Sequence, residues 1–116
     1  RKSGNCSITA FSARIGSIED NEKGGWYAYR ASKAALNMLM KTASIEYRRG
    51  SAKIPFLLFH PGTTDTNLSR PFHKRINSTS IFKPDFVAKQ LISILDDLTY
   101  DGEIKFLDWK GEQVAW

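Results

Sequence analysis

The fold is decided by the stretch WYAYRASKAAL at residues 26–36. Its alanine-rich composition predicts a helix. Tyr29 and Lys33 are four residues apart in it, so their side chains project from the same face. A free tyrosine has a pKa near ~10, and an adjacent cation favours its phenolate form. The spacing predicts an acid–base pair in which Lys33 lowers the pKa of Tyr29.

Two apolar runs flank this helix, at residues 6–11 and 54–59, and both are typical of buried strands. A turn of small residues follows the first run at 12–17, and the sequence HPGTTDT follows the second at 60–66. The order strand, helix, strand, loop, helix, strand predicts a βαβαβ arrangement with a parallel sheet.

The remaining element boundaries follow from helix-stop and helix-start signals. The first helix is expected over residues 27–48, ended by Gly50, and the second over 84–98, with Pro84 in its first turn. A final strand is expected over 103–108. Five apolar residues at helical spacing form the predicted buried stripe of the second helix: Val87, Leu91, Ile94, Leu95 and Leu98.

The segments 24–37 and 60–66 resemble those of the short-chain dehydrogenase/reductase family, nearest its C-factor and Sniffer-type carbonyl reductase branch. The order of the two segments and their separation in the chain agree with the family, and the resemblance covers nearly the whole chain. The resemblance implies an α/β fold: residues 1–116 as the C-terminal half of a doubly wound, parallel-sheet Rossmann domain. The N-terminal dinucleotide-binding half is expected to be absent, because none of the eight glycines forms its Gly-rich turn.

The resemblance also implies an enzyme, an NAD(P)-dependent oxidoreductase that interconverts a carbonyl and a secondary alcohol by hydride transfer. Tyr29 would exchange the proton as acid and base, and Lys33 would bind the nicotinamide ribose and lower the Tyr29 pKa. NAD or NADP is the expected cofactor, with NADP favoured, although the residues that distinguish them belong to the absent half. The expected substrate is a small carbonyl compound or alcohol.

The turn after the first strand departs from the family, because the expected catalytic serine is missing. Alignment on Gly16 places Ser12 at the first serine position and Ala13 at the second, where the family's substrate-binding hydroxyl is expected. Ser17 is the leading replacement and Ser12 the second, while no serine at all is a third reading. For both serines the alternative is a turn-forming hydroxyl that bonds nearby backbone.

The second motif is expected to bind the cofactor, since parallel sheets bind ligands at the carboxyl ends of their strands. By resemblance, the residues along the nicotinamide are Pro61, Gly62, Thr63, Thr64 and Thr66. An ordinary strand-ending turn is the alternative. His60 is interpreted as a strand-end histidine, and no metal site is expected, because no second ligand stands at a metal-binding spacing.

Residues 67–83 carry few helix or strand signals and are expected to form a substrate-covering loop, with a surface loop packed for stability as the alternative. The resemblance implies a homo-oligomer formed through the helix at 27–48. The alternative function is a signalling or interaction protein that keeps the fold and binds nucleotide without turnover, which the loss at Ala13 allows. The chain by itself is expected to be inactive.

The composition of the chain argues against several classes of binding partner. The net charge is +5, but the basic residues are dispersed, which argues against nucleic acid. A single cysteine, Cys6, excludes an internal disulfide and fits a reducing compartment. No apolar stretch approaches the ~20 residues of a membrane span, so neither a membrane partner nor a location outside the cytoplasm is expected.

Overall fold

The computed structural model describes residues 6–75 and 81–116. In chain order the elements of these residues are β1 (Ile8–Phe11), a first 3₁₀ helix (Arg14–Gly16), α1 (Tyr27–Arg49), β2 (Phe56–His60), β3 (Thr63–Thr64), a second 3₁₀ helix (Arg70–Arg75), β4 (Ile81–Phe82), α2 (Pro84–Asp97) and β5 (Lys105–Asp108).

The main sheet of the described residues is parallel, with the strand order β1-β2-β5. Ile8 pairs with Phe56 at one end of the β1–β2 ladder, and Phe11 pairs with Phe59 at the other. On the opposite edge of β2, His60 pairs with Asp108 of β5. The carboxyl ends of all three strands therefore lie at one edge of the sheet.

The central strand β2 supplies the core on both faces of the sheet. Its side chains alternate: Phe56 and Leu58 pack in a cluster against Leu36, Met40 and Ala43 of α1. Leu57 and Phe59 pack in a second cluster against Val87 and its neighbours on α2. These four side chains of β2 are at most 3% exposed. One helix on each face is the doubly wound α/β arrangement that the sequence predicts.

The predicted helices are confirmed to within a residue. α1 runs to Arg49 and Gly50 follows as its C-cap, while α2 begins at Pro84 and ends at Asp97. The predicted stripe of α2 is confirmed as well, since all five of its residues belong to the second core cluster. The strands are shorter than predicted: β1 begins at Ile8, and β5 begins at Lys105.

The segment predicted as a substrate-covering loop, residues 67–83, has few helix or strand signals in its sequence but contains short elements in the part that the structure describes. The second 3₁₀ helix occupies Arg70–Arg75, and β4 pairs in parallel with β3, so that Thr63 lies beside Ile81 and Thr64 beside Phe82. Such short elements carry too little periodicity to be detected in sequence. Residues 76–80 of the predicted loop lie outside the described residues.

Over the described ranges, no helix combines the length and the apolar character that crossing a membrane requires.

Candidate active site at the carboxyl edge of the sheet

Tyr29 and Lys33 lie on the first two turns of α1, beside the carboxyl end of β1. The Lys33 ammonium donates a hydrogen bond to the carbonyl oxygen of Phe11, the last residue of β1, at 3.1 Å. The same nitrogen lies 6.0 Å from the centroid of the Tyr29 ring. Tyr29 is 46% exposed, so its ring is open to an incoming molecule. The structure therefore brings the predicted pair together at the ligand-binding edge.

Close packing between α1 and the first 3₁₀ helix positions Lys33. Gly16 is buried there, and a Cβ atom added to it would lie 2.8 Å from the Lys33 Cβ and 2.9 Å from the Lys33 carbonyl carbon. Only a residue without a side chain permits this approach. The Gly16 of the family motif thus fixes the distance between the turn after β1 and the base of the Lys33 side chain.

Ser12 extends β1 and points into the protein. Its N–H donates to the Phe59 carbonyl oxygen at 2.9 Å, and its hydroxyl donates to Asn37 Oδ1 at 2.5 Å. Both side chains are buried, and Asn37 Nδ2 has no hydrogen-bond partner within the described residues. The Ser12 hydroxyl ties the turn to α1 one turn beyond Lys33, so its described bond is structural.

Ser17, the leading candidate for the family's serine, bonds to backbone. Its hydroxyl donates to the Trp116 carbonyl oxygen at 3.1 Å and accepts from the Asp20 N–H at 3.1 Å. The residue is only 2% exposed. This is the turn-forming alternative, and a catalytic role for Ser17 stays a prediction that the geometry does not support. Ala13, at the family's serine position, is buried and offers no hydroxyl.

The turn after β1 is braced against the other two strand ends by three residues. The Arg14 N–H donates to His60 Nδ1 at 3.0 Å, and the Arg14 guanidinium pairs with Asp108 Oδ2 at 3.2 Å. Asp108 is 2% exposed, and its other oxygen accepts from the N–H groups of Lys110 and Glu112. His60 is the strand-end histidine that the sequence indicates.

The environment of His60 favours its neutral form. Burial, and after it the positive charge of Arg14, lowers the pKa of His60 from 6.5 to about 4, while Asp108 and Asp20 act in the opposite direction. Because Nδ1 accepts the Arg14 N–H, the ring proton is assigned to Nε2. The histidine is therefore an acceptor within the brace at neutral pH.

The Pro-Gly loop follows β2 at the same edge. Gly62 has a φ of +71°, and a Cβ atom there would lie 2.7 Å from the Phe82 ring, so the position requires glycine. Ser69 holds the loop closed: its hydroxyl donates to the Thr64 carbonyl oxygen at 2.5 Å and accepts from the Thr66 N–H at 3.2 Å. It also lies 2.8 Å from His73 Nε2.

These residues fit a nicotinamide cofactor in one observable respect. The Thr64 hydroxyl oxygen is buried and has no hydrogen-bond partner in the part of the chain that the structure describes. A buried hydroxyl without a partner is costly, and a carboxamide or phosphate would satisfy it. Thr64, one of the residues expected along the nicotinamide, thus carries the unused hydrogen-bonding group.

Two residues of this edge escaped prediction as site residues. Asn37 holds the Ser12 hydroxyl, and Arg30 makes three hydrogen bonds to carbonyl oxygens: one to Ile15 of the first 3₁₀ helix and two to Gly24 and Gly25 of the loop before α1. Both occur within the helical stretch, but their partners are distant loops, which no local spacing reveals. In residues 6–75 and 81–116, no group of three His, Cys, Asp or Glu side chains could hold a metal ion.

Comparison with models of known protein families finds no match. The chain is, however, 34% identical over 110 residues to C-signal of Myxococcus xanthus, covering 94% of this chain and 60% of that protein. It is also 34% identical over 106 residues to 1-hydroxy-2-glutathionyl-2-methyl-3-butene dehydrogenase of Rhodococcus sp. (strain AD45), covering 90% of this chain and 44% of the relative. The chain thus spans about half the length of these curated relatives.

The fold agrees with the sequence relationship. The NADPH-bound carbonyl reductase from chicken fatty liver superimposes with a TM-score of 0.77 and 31% identity, over 95% of this chain and 42% of that structure. The fold and the strand-end site define a Rossmann-type α/β protein. The chain belongs to the short-chain dehydrogenase/reductase family, with relatives of the carbonyl reductase type.

Proposed function

We propose that the protein containing this chain is an NAD(P)-dependent oxidoreductase that interconverts a carbonyl group and a secondary alcohol. The observation that carries the proposal is the placement of Lys33, whose ammonium is held by the Phe11 carbonyl and lies 6.0 Å from the centroid of the exposed Tyr29 ring. An acid–base phenol at the carboxyl edge of a parallel sheet matches carbonyl reduction. The NADPH-bound neighbour supports NADP as the cofactor.

When bound, the nicotinamide supplies or accepts the hydride at the substrate carbon. Tyr29 donates its phenolic proton to the carbonyl oxygen during reduction and takes it back during alcohol oxidation. Lys33 would bind the cofactor ribose, and its ammonium lies 6.0 Å from the centroid of the Tyr29 ring. The residues that would line the cofactor are Pro61, Gly62, Thr63, Thr64 and Thr66, with Thr64 offering the unused hydroxyl.

The substrate oxygen lacks the usual serine donor at Ala13. An alanine cannot donate a hydrogen bond, so either another group polarises the carbonyl or turnover of simple carbonyls is slow for the family. The same substitution favours a second candidate function, in which the protein binds nucleotide and acts in signalling or interaction without turnover. The similarity to C-signal agrees with that reading.

The first experiment measures NADPH- and NADH-dependent reduction of a panel of aldehydes and ketones. It uses the chain alone and a version extended upstream through a dinucleotide-binding half, which we propose activity requires. Turnover in the extended protein that is lost in Tyr29→Phe supports the enzyme, since the variant removes only the exchangeable proton. Cofactor binding without turnover in the extended wild type supports the signalling candidate and contradicts the enzyme.

We also propose that α1 forms a homo-oligomer interface. Met38 and Leu39 on this helix are 67% and 68% exposed, and Ala28, Ala31 and Ala35 are exposed small residues that permit close approach of a second helix. Sedimentation of the extended protein with and without Leu39→Glu tests it: the substitution should convert a dimer or tetramer to monomers.

A further inference from the structure

The peptide group that joins Phe11 to Ser12, at the end of β1, is hydrogen-bonded on both sides. Its carbonyl oxygen accepts from the Lys33 ammonium at 3.1 Å, and its N–H donates to the Phe59 carbonyl oxygen of β2 at 2.9 Å. Because a peptide group is planar, the directions of its C=O and N–H are fixed relative to each other. The place of the acceptor for Lys33 therefore depends on how this one peptide is held.

The side chain of Ser12 gives the same peptide a third attachment. Its hydroxyl donates to Asn37 Oδ1 at 2.5 Å, and the two residues are 3% and 5% exposed. Lys33 and Asn37 are four residues apart on α1, so they project from one face of the helix. Two side chains of this face thus bond to consecutive residues of the strand end, Lys33 to Phe11 and Asn37 to Ser12.

Asn37 is a poor choice for stability alone. Its Nδ2 is buried and has no hydrogen-bond partner among residues 6–75 and 81–116. A buried amide donor without a partner costs free energy, which offsets what the bond to Ser12 contributes. Leucine is similar in size and would leave no unpaired group. A buried residue that departs in this way from the rule for its surroundings is expected where a site must be positioned.

The Ser12–Asn37 bond supplies a direction that apolar packing lacks. A hydrogen bond requires its donor and acceptor at a set distance and in line, whereas the attraction between apolar surfaces is not directional. The bond therefore fixes how the end of β1 lies against α1, one helical turn from Lys33. An ammonium has three donors, so Lys33 keeps donors for a ligand while the Phe11 carbonyl holds it.

We propose that Ser12 and Asn37 are positioning residues for Lys33: their buried hydrogen bond fixes the Phe11 carbonyl that holds the Lys33 ammonium, and so sets where Lys33 meets the cofactor ribose. The inference rests on the proposed function, because it uses the cofactor-binding role of Lys33. Neither Ser12 nor Asn37 touches the substrate or the cofactor, and their effect passes through the lysine.

The test measures NADP⁺ binding to the upstream-extended protein by isothermal titration calorimetry, together with the urea unfolding of each variant. Ser12→Ala and Asn37→Leu should each weaken NADP⁺ binding roughly two- to tenfold, which is the range of one hydrogen bond. In a Lys33→Met background neither substitution should weaken binding further, because their effect passes through Lys33. Losses of the same size in that background would overturn the proposal.

The double variant Ser12→Ala/Asn37→Leu separates positioning from stability. Replacing both partners of a buried hydrogen bond by apolar groups restores much of the stability that the loss of one partner removes. The double variant should therefore unfold at a urea concentration close to that of wild type and still bind NADP⁺ as weakly as the single variants. Affinity that returns together with stability would show a bond that is only structural. This variant decides the question even where a single variant fails to fold.

Ser44→Ala is the matched control, since Ser44 is a buried serine of α1 whose hydroxyl donates to the Lys41 carbonyl oxygen at 2.7 Å. It loses a buried hydrogen bond away from the strand end, so its affinity for NADP⁺ should equal that of wild type. An equal loss of affinity in Ser44→Ala would overturn the proposal. Binding of NADP⁺ without reduction of any aldehyde or ketone would overturn only the proposed oxidoreductase, because the affinities still decide the positioning role.

Discussion

Lowering the pH should weaken the brace between the three strand ends, through His60. The folded protein holds the pKa of His60 at about 4, against an ordinary value of 6.5, mainly by burial. The unfolded chain therefore binds the proton more readily than the folded one. The stability contributed by neutral His60 is complete above about pH 6.5 and is lost as the pH falls toward 4.

The size of the effect follows from the pKa difference. The difference between 6.5 and about 4 corresponds to about 3 kcal/mol in full. By pH ~4.5 the unfolded histidine is almost wholly protonated and the folded one mostly neutral, so about 2–3 kcal/mol of the free energy of unfolding is lost. Protonation also removes the acceptor at Nδ1 for the Arg14 N–H.

The assay is urea unfolding between about pH 7.5 and pH 4.5, for wild type and His60→Asn. Asparagine can present an oxygen to the Arg14 N–H but does not titrate, and other carboxylates titrate alike in both proteins. The stability advantage of wild type over the variant should shrink by about 2–3 kcal/mol across this range. Parallel stability curves, or an NMR midpoint for His60 near 6.5, would refute the reasoning.

Two further substitutions test the packing of this edge. Gly16→Ala should destabilise the protein by about 1–3 kcal/mol, because its Cβ would lie 2.8 Å from the Lys33 Cβ. Gly50→Ala is the control and should cost less, because the nearest contact of its Cβ is 3.4 Å away. Thermal unfolding compares the two variants, and equal losses of stability would count against the Gly16 contact. Arg14→Met should destabilise the protein by about 1–2 kcal/mol, a figure kept low because the Arg14 side chain is 39% exposed and its ion pair with Asp108 is partly screened by solvent. It should also raise the pKa of His60, because the positive charge of Arg14 lowers it. An unchanged His60 midpoint in an NMR titration would contradict this influence of Arg14.

Much of the fold was predictable because its signals are local. The apolar run of β2, the stripe on α2 and the stop at Gly50 each follow from side-chain pattern or backbone preference within one segment. The short strand β4 and the second 3₁₀ helix were not predictable, since two to six residues carry no distinct period and their conformation depends on contacts with the Pro-Gly loop.

In the candidate site, too, some features were predictable from the sequence and others were not. The spacing of Tyr29 and Lys33 and the position of the Pro-Gly step are readable in sequence, because helix geometry and strand ends dictate them. The bonds of Ser17 are not, since its partner, the Trp116 carbonyl, lies 99 residues away in the chain. A hydroxyl twelve residues before Tyr29 fits the motif by spacing, yet its hydrogen bonds are made elsewhere.

By itself, the sequence determined the α/β architecture, the family and the placement of Tyr29 and Lys33 on one helix face, because each depends on the order and spacing of nearby residues. Only the tertiary structure decided which polar groups meet: Ser12 with Asn37, Arg14 with His60 and Asp108, and Arg30 with the loop that carries Trp26. Hydrogen bonds and ion pairs act over a few ångströms in space, and residues far apart in sequence reach that distance only after the strands and helices have packed.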